Sequence, residues 1–216
     1  MLRGDEGQAF PVYIAVVGGL LFLAFAYFAL GQAALTRNGA QTAADAAALA
    51  AAQDARDQVR RGWLGVIADP TQWDRFLEGQ GYVDSAACQQ AASFAARNAA
   101  ELWGDGCTGG LAEGEGFRVT VRTTGTVGRS VIPGTELKHA TATAEAVIEP
   151  RCRFDPPDPS PDPTPSEPGD GEEEPPVPPE PEPIVGLVCD GEPWVIDPED
   201  PILPGASDLF RVRLTD

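Results

Sequence analysis

The feature that constrains this chain most is an uncharged apolar span from Ala9 to Leu30, which runs directly into an alanine-rich segment. At the α-helical rise, this span is about 33 Å long, enough to cross a hydrocarbon core of about 30 Å. Tyr13 and Tyr27 lie near its two ends, where aromatic rings favour the headgroup region. The sequence therefore predicts one transmembrane helix over residues 9–30, preceded by a cytoplasmic lead of residues 1–8.

A cleaved secretory signal is the alternative interpretation of the same span. Small residues around Gly31 and Ala33 offer a cleavage point after Ala33. However, the lead carries one basic residue, Arg3, against Asp5 and Glu6, and the span is longer than the usual signal core of about 7–15 residues. We therefore favour a retained anchor.

The alanine-rich segment after the span predicts a continuation of the same helix into water. From Gln32 to Arg60 there is no proline, and Gly39 is the one weak point in a stretch dominated by the strongest helix former. We expect a single rod of about 50 residues, whose extracytoplasmic part covers residues 31–62.

Five residues of this rod are candidates for helix packing. Ala15 and Gly19, and likewise Ala29 and Ala33, are small residues four positions apart, a spacing that lets helices approach closely in lipid. General abundance of alanine and glycine would produce the same spacing. Asp45, the acid embedded in the alanine-rich segment, is either a polar contact to a neighbouring subunit or an exposed solubilising charge.

The cysteines decide the orientation better than the charges do, because Arg3 before the span is balanced by Arg37 after it. All the cysteines follow the span, and an even number without metal-type spacing favours disulfides outside the cytoplasm. They are Cys88, Cys107, Cys152 and Cys189. We expect a single-pass protein of the bacterial cytoplasmic membrane, with its N-terminus inside and most of the chain extracytoplasmic.

Residues 63–153 predict a small α+β domain. Asp69 and Pro70 resemble a helix start, with Gly79 ending a short helix, and a second helix begins near Asp84 or Ser85. Residues 117–127 and 139–149 alternate in polarity and are rich in Val and Thr, which predicts two half-buried strands joined through a turn at Pro133-Gly134.

The pairing of the first two cysteines depends on where the second helix ends. A helix from Cys88 to Trp103 would hold the cysteines too far apart for a bond, whereas a left-handed cap at Asn98 lets residues 99–107 return as a strand. We favour the shorter helix and a Cys88–Cys107 bridge. Free thiols are the alternative, and the connectivity of all four cysteines stays open at this point.

Proline and acidic residues dominate residues 154–183, which predicts a disordered or polyproline-like segment. Cys152 and Cys189 bracket the segment, and pairing them would turn it into a protruding loop. Apolar alternation returns in residues 184–216, and we expect the motif LFRVRL, residues 209–214, to dock on the edge of the sheet.

Net charge excludes some partners. The chain has a formal charge of −18, and from Arg153 onward 17 Asp and Glu face 3 Arg, so the acidity belongs to the C-terminal part. Such a segment is repelled by nucleic acid and by anionic membranes.

The sequence shows no catalytic or metal-binding constellation. His139 is the single histidine, no nucleophile motif accompanies it, and we interpret it as a surface strand position. There is no C-x-x-C pair, calcium loop or phosphate-binding loop. We therefore predict a protein that is not an enzyme, with no cofactor, no metal and no small-molecule substrate.

The residues RGDEGQAF, the apolar span and QTAADAAALAAAQ together resemble the TadE/TadG-like pilus-assembly proteins over about residues 3–55. The resemblance implies a pilin-like fold, with the long helix continuing into a helix-plus-antiparallel-sheet domain. It also implies a subunit of a Flp (tight adherence) pilus or related secretion machine, whose partners are other membrane subunits of that machine. Cutting after Gly7 or Gly4 would place Val12 or Ala9, not an acid, at the fifth mature position, so the unprocessed TadG-like style is the better comparison.

A structural or assembly component is therefore the leading functional hypothesis. The alternative is a membrane-tethered binding module, in which the anchor only retains an extracellular recognition domain.

Overall fold

A computed structural model of the chain describes residues 9–112, 114–126, 134, 136–157, 182–199 and 201–215. Its longest element is a single helix, α1, from Ala9 to Leu64, with 56 residues and a length of about 84 Å. The apolar span and the alanine-rich segment thus form one continuous helix, as their composition predicts. The lead, residues 1–8, lies outside the described part of the chain.

The C-terminal half of α1 is the spine of the folded domain. One side of it carries fully buried alanines, which we call the alanine face: Ala40, Ala43, Ala44, Ala47, Ala48, Ala51, Ala52 and Ala55. The stripe continues through Val59 and Trp63, which are also fully buried. These residues recur three and four positions apart, so a single helical side meets the core.

Three shorter helices surround α1. A 3₁₀ turn over Pro70–Gln72 precedes α2, Asp74–Leu77, so the short helix predicted between Pro70 and Gly79 is in fact two separate turns. α3 runs from Asp84 to Arg97, and α4 is the single turn Ala206–Leu209. α3 buries Ala87, Ala91 and Ala95, whose small side chains allow it to pack closely against α1.

The end of α3 differs by one residue from the prediction. Asn98 caps the helix with a φ of −102°, and its side-chain amide donates to the Phe94 carbonyl at 2.9 Å. Ala99, at a φ of 53°, is the left-handed residue instead. The chain therefore turns back at Ala99 and enters β1 directly.

The main sheet has four antiparallel strands in the order β1-β2-β3-β7. Its strands are β1 Ala100–Leu111, β2 Gly114–Thr123, β3 Thr141–Pro150 and β7 Phe210–Leu214. Phe117, Val119 and Val121 point from β2 into the core, while the residues between them face outward. Residues 210–214 of the motif LFRVRL form the edge strand β7, which pairs with β3, while Leu209 ends α4.

The predicted strand bounds differ from the observed ones at both ends. β2 begins three residues before Phe117 and ends at Thr123, and β3 begins two residues after His139. Pro133, half of the predicted turn, lies outside the described residues, whereas Gly134 is in a turn with a φ of 86°.

A second, smaller sheet contains β4 Cys152–Phe154, β5 Ile184–Cys189 and β6 Glu192–Ile196, in that order. Asp190 and Gly191 join β5 to β6 with φ values of 51° and 89°, as a two-residue hairpin with two left-handed positions requires. Of the segment predicted to be disordered, Phe154 lies in β4, and residues 158–181 lie outside the described part of the chain.

α1 and β3 run in the same direction along the domain. At one end, Gln41 of α1 and Thr143 of β3 border the same surface depression. At the other end, the ring of Trp63 lies 5.3 Å from Trp73, and that of Trp73 lies 5.1 Å from Phe154. We call the first the proximal end, because it faces the apolar part of α1, and the second the distal end.

Candidate assembly surface

The apolar N-terminal part of α1 projects from the domain with its side chains exposed. The stretch Phe10–Phe28 is long and apolar enough to cross a membrane, and none of it is buried in the structure. Exposed phenylalanine, leucine, isoleucine and valine side chains lie on every side of the helix. An apolar surface of this size is typical of a stretch that contacts lipid or partner helices.

The candidate packing residues of α1 fall in two different settings. Ala15 and Gly19 are exposed, and a Cβ built on Gly19 would meet no atom within 4 Å. Ala29 and Ala33 lie in the same helix, but their side chains are outside the described part of the structure. Asp45 is half-buried, and its Oδ1 accepts a hydrogen bond from Gln41 Nε2 at 2.7 Å.

The outer face of the main sheet carries acidic and basic side chains that form ion pairs with each other. Arg118 pairs with Glu145 across β2 and β3 at 2.6 Å, and Arg213 pairs with Glu149 across β7 and β3 at 2.7 Å. The hydroxyls of Thr120 and Thr143 lie 2.9 Å apart on the same face. These side chains are largely exposed, so this face is a solvated surface, and ion pairs of this kind contribute little to stability.

One aromatic ring interrupts that polar face. The guanidinium of Arg122 lies 3.4 Å from the ring centroid of Trp103, and the same guanidinium binds Glu101 at 2.5 Å. Trp103 remains 45% exposed. The stacking covers one side of the ring and keeps the cation fixed between two partners.

His139 has a structural role at the base of the β2–β3 connection. Its Nδ1 lies 2.7 Å from the carbonyl oxygen of Thr123, which can only accept, so Nδ1 carries the proton. It lies just before β3 rather than in the strand. Among the described residues, no group of three or more His, Cys, Asp or Glu side chains is arranged to hold a metal ion.

Tyr82 is the side chain whose ionisation is most strongly perturbed. Its hydroxyl donates to Glu115 Oε2 at 2.5 Å, and its ring packs 5.5 Å from that of Phe117. Burial, followed by the hydrogen bond and charge of Glu115, raises the pKa of Tyr82 well above its ordinary value. The raised pKa keeps the Tyr82 hydroxyl protonated at neutral pH, so Tyr82 is not a base there. The contact links the loop before α3 to β2.

Comparison with known proteins finds a family match for the N-terminal part of the chain. Residues 7–54 match the family model for putative Flp pilus-assembly TadE/G-like proteins. The match covers the exposed apolar stretch and most of the alanine face. No curated protein matches the chain. No solved structure matches it either.

The TadE/G-like segment ends inside the folded domain. It stops at Asp54, before the last buried residues of α1, Val59 and Trp63. Both sheets and α2 to α4 lie outside the matched residues. The TadE/G-like segment therefore includes most of the alanine face, but the surface that covers this face comes from the unmatched part of the chain.

Two disulfides brace the unmatched part. Cys88 is bonded to Cys107, with Cα atoms 5.6 Å apart, which ties α3 to β1. Cys152 is bonded to Cys189, its pairing partner across β4 and β5. Arg151 and Asp190 form an ion pair beside this disulfide. The hydrogen bond from Arg151 lowers the pKa of Asp190. The second disulfide and this ion pair join the two strands on either side of the proline-rich acidic segment.

Sequence reasoning missed two features of this surface. The first is that the alanine face packs into the core of the same chain. The spacing of its alanines, three and four residues apart, was the signal that one side of this helix is buried. The contact between Tyr82 and Glu115 carries no local signal, because 33 residues separate the two partners.

Proposed function

We propose that this chain is a non-enzymatic, pilin-like structural or assembly component of a Flp (Tad) pilus or related secretion machine in the bacterial envelope. The observation that carries the proposal is the division of α1 within its TadE/G-like segment. Up to Phe28 the helix exposes apolar side chains on all sides, and from Ala40 it is the spine of a folded domain. A helix of this design anchors a domain and presents its own surface to neighbours at the same time.

In this proposal, the stretch Phe10–Phe28 crosses the cytoplasmic membrane once, with the N-terminus inside. The domain and both disulfides then lie on the extracytoplasmic side. Two disulfides support this orientation, because thiols are kept reduced in the cytoplasm.

The proposed partners are the helices of other membrane subunits of the machine. Ala15 and Gly19 offer a small-residue stripe on the exposed helix, and Ala29 and Ala33 extend it by sequence. Asp45 borders the depression beside Thr143 and Leu214, where a polar group of a neighbouring subunit can reach it. The proposal includes no cofactor, no nucleic acid and no small-molecule substrate.

The test exchanges the order, but not the composition, of residues 12–30. The scrambled helix keeps its length and apolarity, so it still holds the protein in the membrane. Native membranes carrying either the natural or the scrambled chain, each with a C-terminal epitope, are crosslinked and the captured proteins are identified by mass spectrometry.

We expect the natural chain to capture pilus membrane subunits and the scrambled chain to lose about tenfold of that signal, because the small-residue stripe is destroyed. Equal capture by both chains, with both floating in the membrane fraction, would contradict an assembly role. Intact-mass measurement of the natural chain checks the anchor in the same sample, since a chain that begins after Ala33 has lost it.

A second candidate function is a membrane-tethered extracellular binding module. It is favoured by the proline-rich acidic insertion, whose base is closed by Cys152–Cys189 at the distal end of the domain. Replacing residues 158–181 with a short glycine-serine linker keeps β4, β5 and the disulfide. Loss of an extracellular ligand on this replacement, with unchanged capture by the scrambled helix, would favour the module over the subunit.

A further inference from the structure

The proximal end of the domain carries exposed basic side chains from three separate elements. We call these the proximal basic cluster: Arg37 of α1, Arg97 at the end of α3, and Lys138 before β3. Lys138 is the single lysine of the chain, and its neighbour Leu137 is 83% exposed. A large apolar side chain beside exposed basic residues is the composition of a surface that meets lipid headgroups.

Backbone hydrogen bonds hold two of these elements together at the same end. Thr124 N donates to the carbonyl of Ala99 at 2.9 Å, which joins the end of β2 to the end of α3. Thr123 N donates to the carbonyl of Ala140 at 2.9 Å, which fixes the segment that follows Lys138. Arg97 and Lys138 therefore lie on a common base rather than on independent loops.

The cluster lies on the side of the domain that faces the apolar stretch. From Gln41, beside Thr143, back to Phe28, α1 covers about 20 Å at the helical rise. From Thr143 back to Lys138 the extended chain can cover about 17 Å in the same direction. The headgroup layer adds about 5–7 Å on each side of the hydrocarbon, so the end of the Lys138 side chain can reach it.

Three described acidic side chains near this end have a hydrogen-bond or ion-pair partner. Glu136 accepts from Gly134 N at 3.0 Å, Glu101 binds Arg122, and Asp45 accepts from Gln41. Arg122 offsets the charge of Glu101, whereas Glu136 and Asp45 bind neutral donors and still carry formal charges. The three basic side chains of the cluster therefore exceed these two carboxylates by one positive charge, in a chain whose formal charge is −18. The acidic insertion is connected to the domain through β4 and β5, at the end opposite to this cluster.

We propose that the proximal basic cluster and Leu137 contact the anionic phospholipid headgroups of the membrane that holds α1. This inference rests on the proposed membrane anchor. Attraction between basic side chains and an anionic surface decays within about 8–10 Å at ordinary salt, so only the proximal end of the domain experiences it. The contact sets the angle between the domain and the membrane plane.

The test places a photoreactive benzoylphenylalanine in the full-length chain, either at Leu137 or at Val195. Val195 is 56% exposed on β6 at the distal end, so it is the matched control position. Both proteins are reconstituted into vesicles of phosphatidylcholine, with or without phosphatidylglycerol, floated on a density gradient, irradiated and analysed for lipid adducts by mass spectrometry. We expect adducts at position 137, and about fivefold more of them when phosphatidylglycerol is present.

Charge reversal separates the cluster from general electrostatics. The proximal triple variant is R37E, R97E and K138E, and the matched distal triple variant is R61E, R75E and R211E. The two sets change the net charge equally, and each includes one arginine stacked on a phenylalanine ring, Arg97 on Phe94 and Arg75 on Phe76. We expect the proximal set to lower the adduct at position 137 about fivefold and the distal set to leave it unchanged.

Three results would overturn the inference. Equal adduct yields at positions 137 and 195 mean that the domain has no fixed proximal contact. Equal losses with the two triple variants mean that the cluster is not the cause. A chain that fails to float overturns both this inference and the membrane anchor, whereas a floating chain without adducts at position 137 overturns this inference alone.

Discussion

The two halves of α1 form one unbroken helix, yet one half exposes its apolar side chains and the other buries them in the domain. Residues 10–28 carry large apolar side chains that nothing in the domain covers, whereas the buried side chains between residues 40 and 63 are mostly alanine. In the first half, the apolar area serves an external environment. In the second half, small side chains let α3 and the main sheet approach the helix closely. Side-chain size, rather than helix propensity, therefore separates the anchor from the core.

The largest expected effect comes from truncating the last buried residue of the helix. Trp63→Ala should lower the free energy of unfolding by about 3–5 kcal/mol, because it removes a fully buried ring that packs on Trp73. Its indole nitrogen has no hydrogen-bond partner among the described residues, so the loss is one of packing. Thermal and denaturant unfolding of the purified chain in detergent measures the change.

The matched change in the other half is Phe25→Ala, at a side chain that is 65% exposed. It should leave the unfolding of the domain unchanged, because Phe25 contacts none of the core. A comparable loss of stability in this variant would mean that the two halves are not independent.

A smaller effect is expected from enlarging an alanine in each half. Ala47→Leu should destabilise the domain by about 1–3 kcal/mol, since the added carbons overpack the alanine face. Ala15→Leu adds the same atoms to an exposed position and should leave domain unfolding unchanged. Circular dichroism melts of both variants measure the difference, and a stable Ala47→Leu variant would show that this face is loosely packed.

A pH titration should sharpen the comparison between the two halves further, because Tyr82, whose pKa is raised, lies in the domain. Tyr82 keeps its proton in the folded state above its ordinary pKa of 10.0, whereas the unfolded chain releases it there. The stability that this contact contributes is complete below pH 10 and decreases as the pH rises above it. Urea titrations at pH 8.5 and 10.5 should show this decrease in the natural chain.

Tyr82→Phe is the control for that titration. It removes the hydrogen bond to Glu115 at a cost of about 1 kcal/mol near neutral pH and abolishes the extra loss above pH 10. The same alkaline slope in the variant would assign the effect to other groups.

The smallest effect on the domain is expected at the junction of the two halves. Gly39→Pro kinks a helix at a position where a new Cβ meets no atom within 4 Å. Because the alanine face begins at Ala40, domain unfolding should change by less than about 0.5 kcal/mol. A larger loss would place the start of the cooperative unit before residue 39.

Local patterns predicted much of this fold. Alternation in residues 117–121 predicted the inner face of β2, and the absence of proline from residues 32–60 predicted that the helix continues beyond the apolar span. The turn at the end of α3 was predicted one residue early, because the left-handed position went to Ala99 although asparagine favours it more. That turn brings Cys88 and Cys107 together, so the pairing favoured by the sequence followed from a correct helix length.

Long-range contacts could not be predicted in the same way. Trp63, Trp73 and Phe154 meet in one aromatic cluster at the distal end, but no periodicity links them. Alanine spacing predicts that a helix side is packed without telling what packs on it, so the alanine face was compatible with partner helices as well as with this domain's own sheet. The proximal basic cluster is likewise visible only once three distant segments share one end.

The parallel course of α1 and β3 has a mechanical consequence. A pull along the anchor enters the domain at Ala40 and is carried along the whole alanine face before it reaches Trp63. When the opposing load acts on the distal end of the sheet, the force lies in the plane of the contact, so it does not peel the helix from the sheet one turn at a time. It must slide as a unit, so the interface resists in shear, the geometry in which many small contacts yield together.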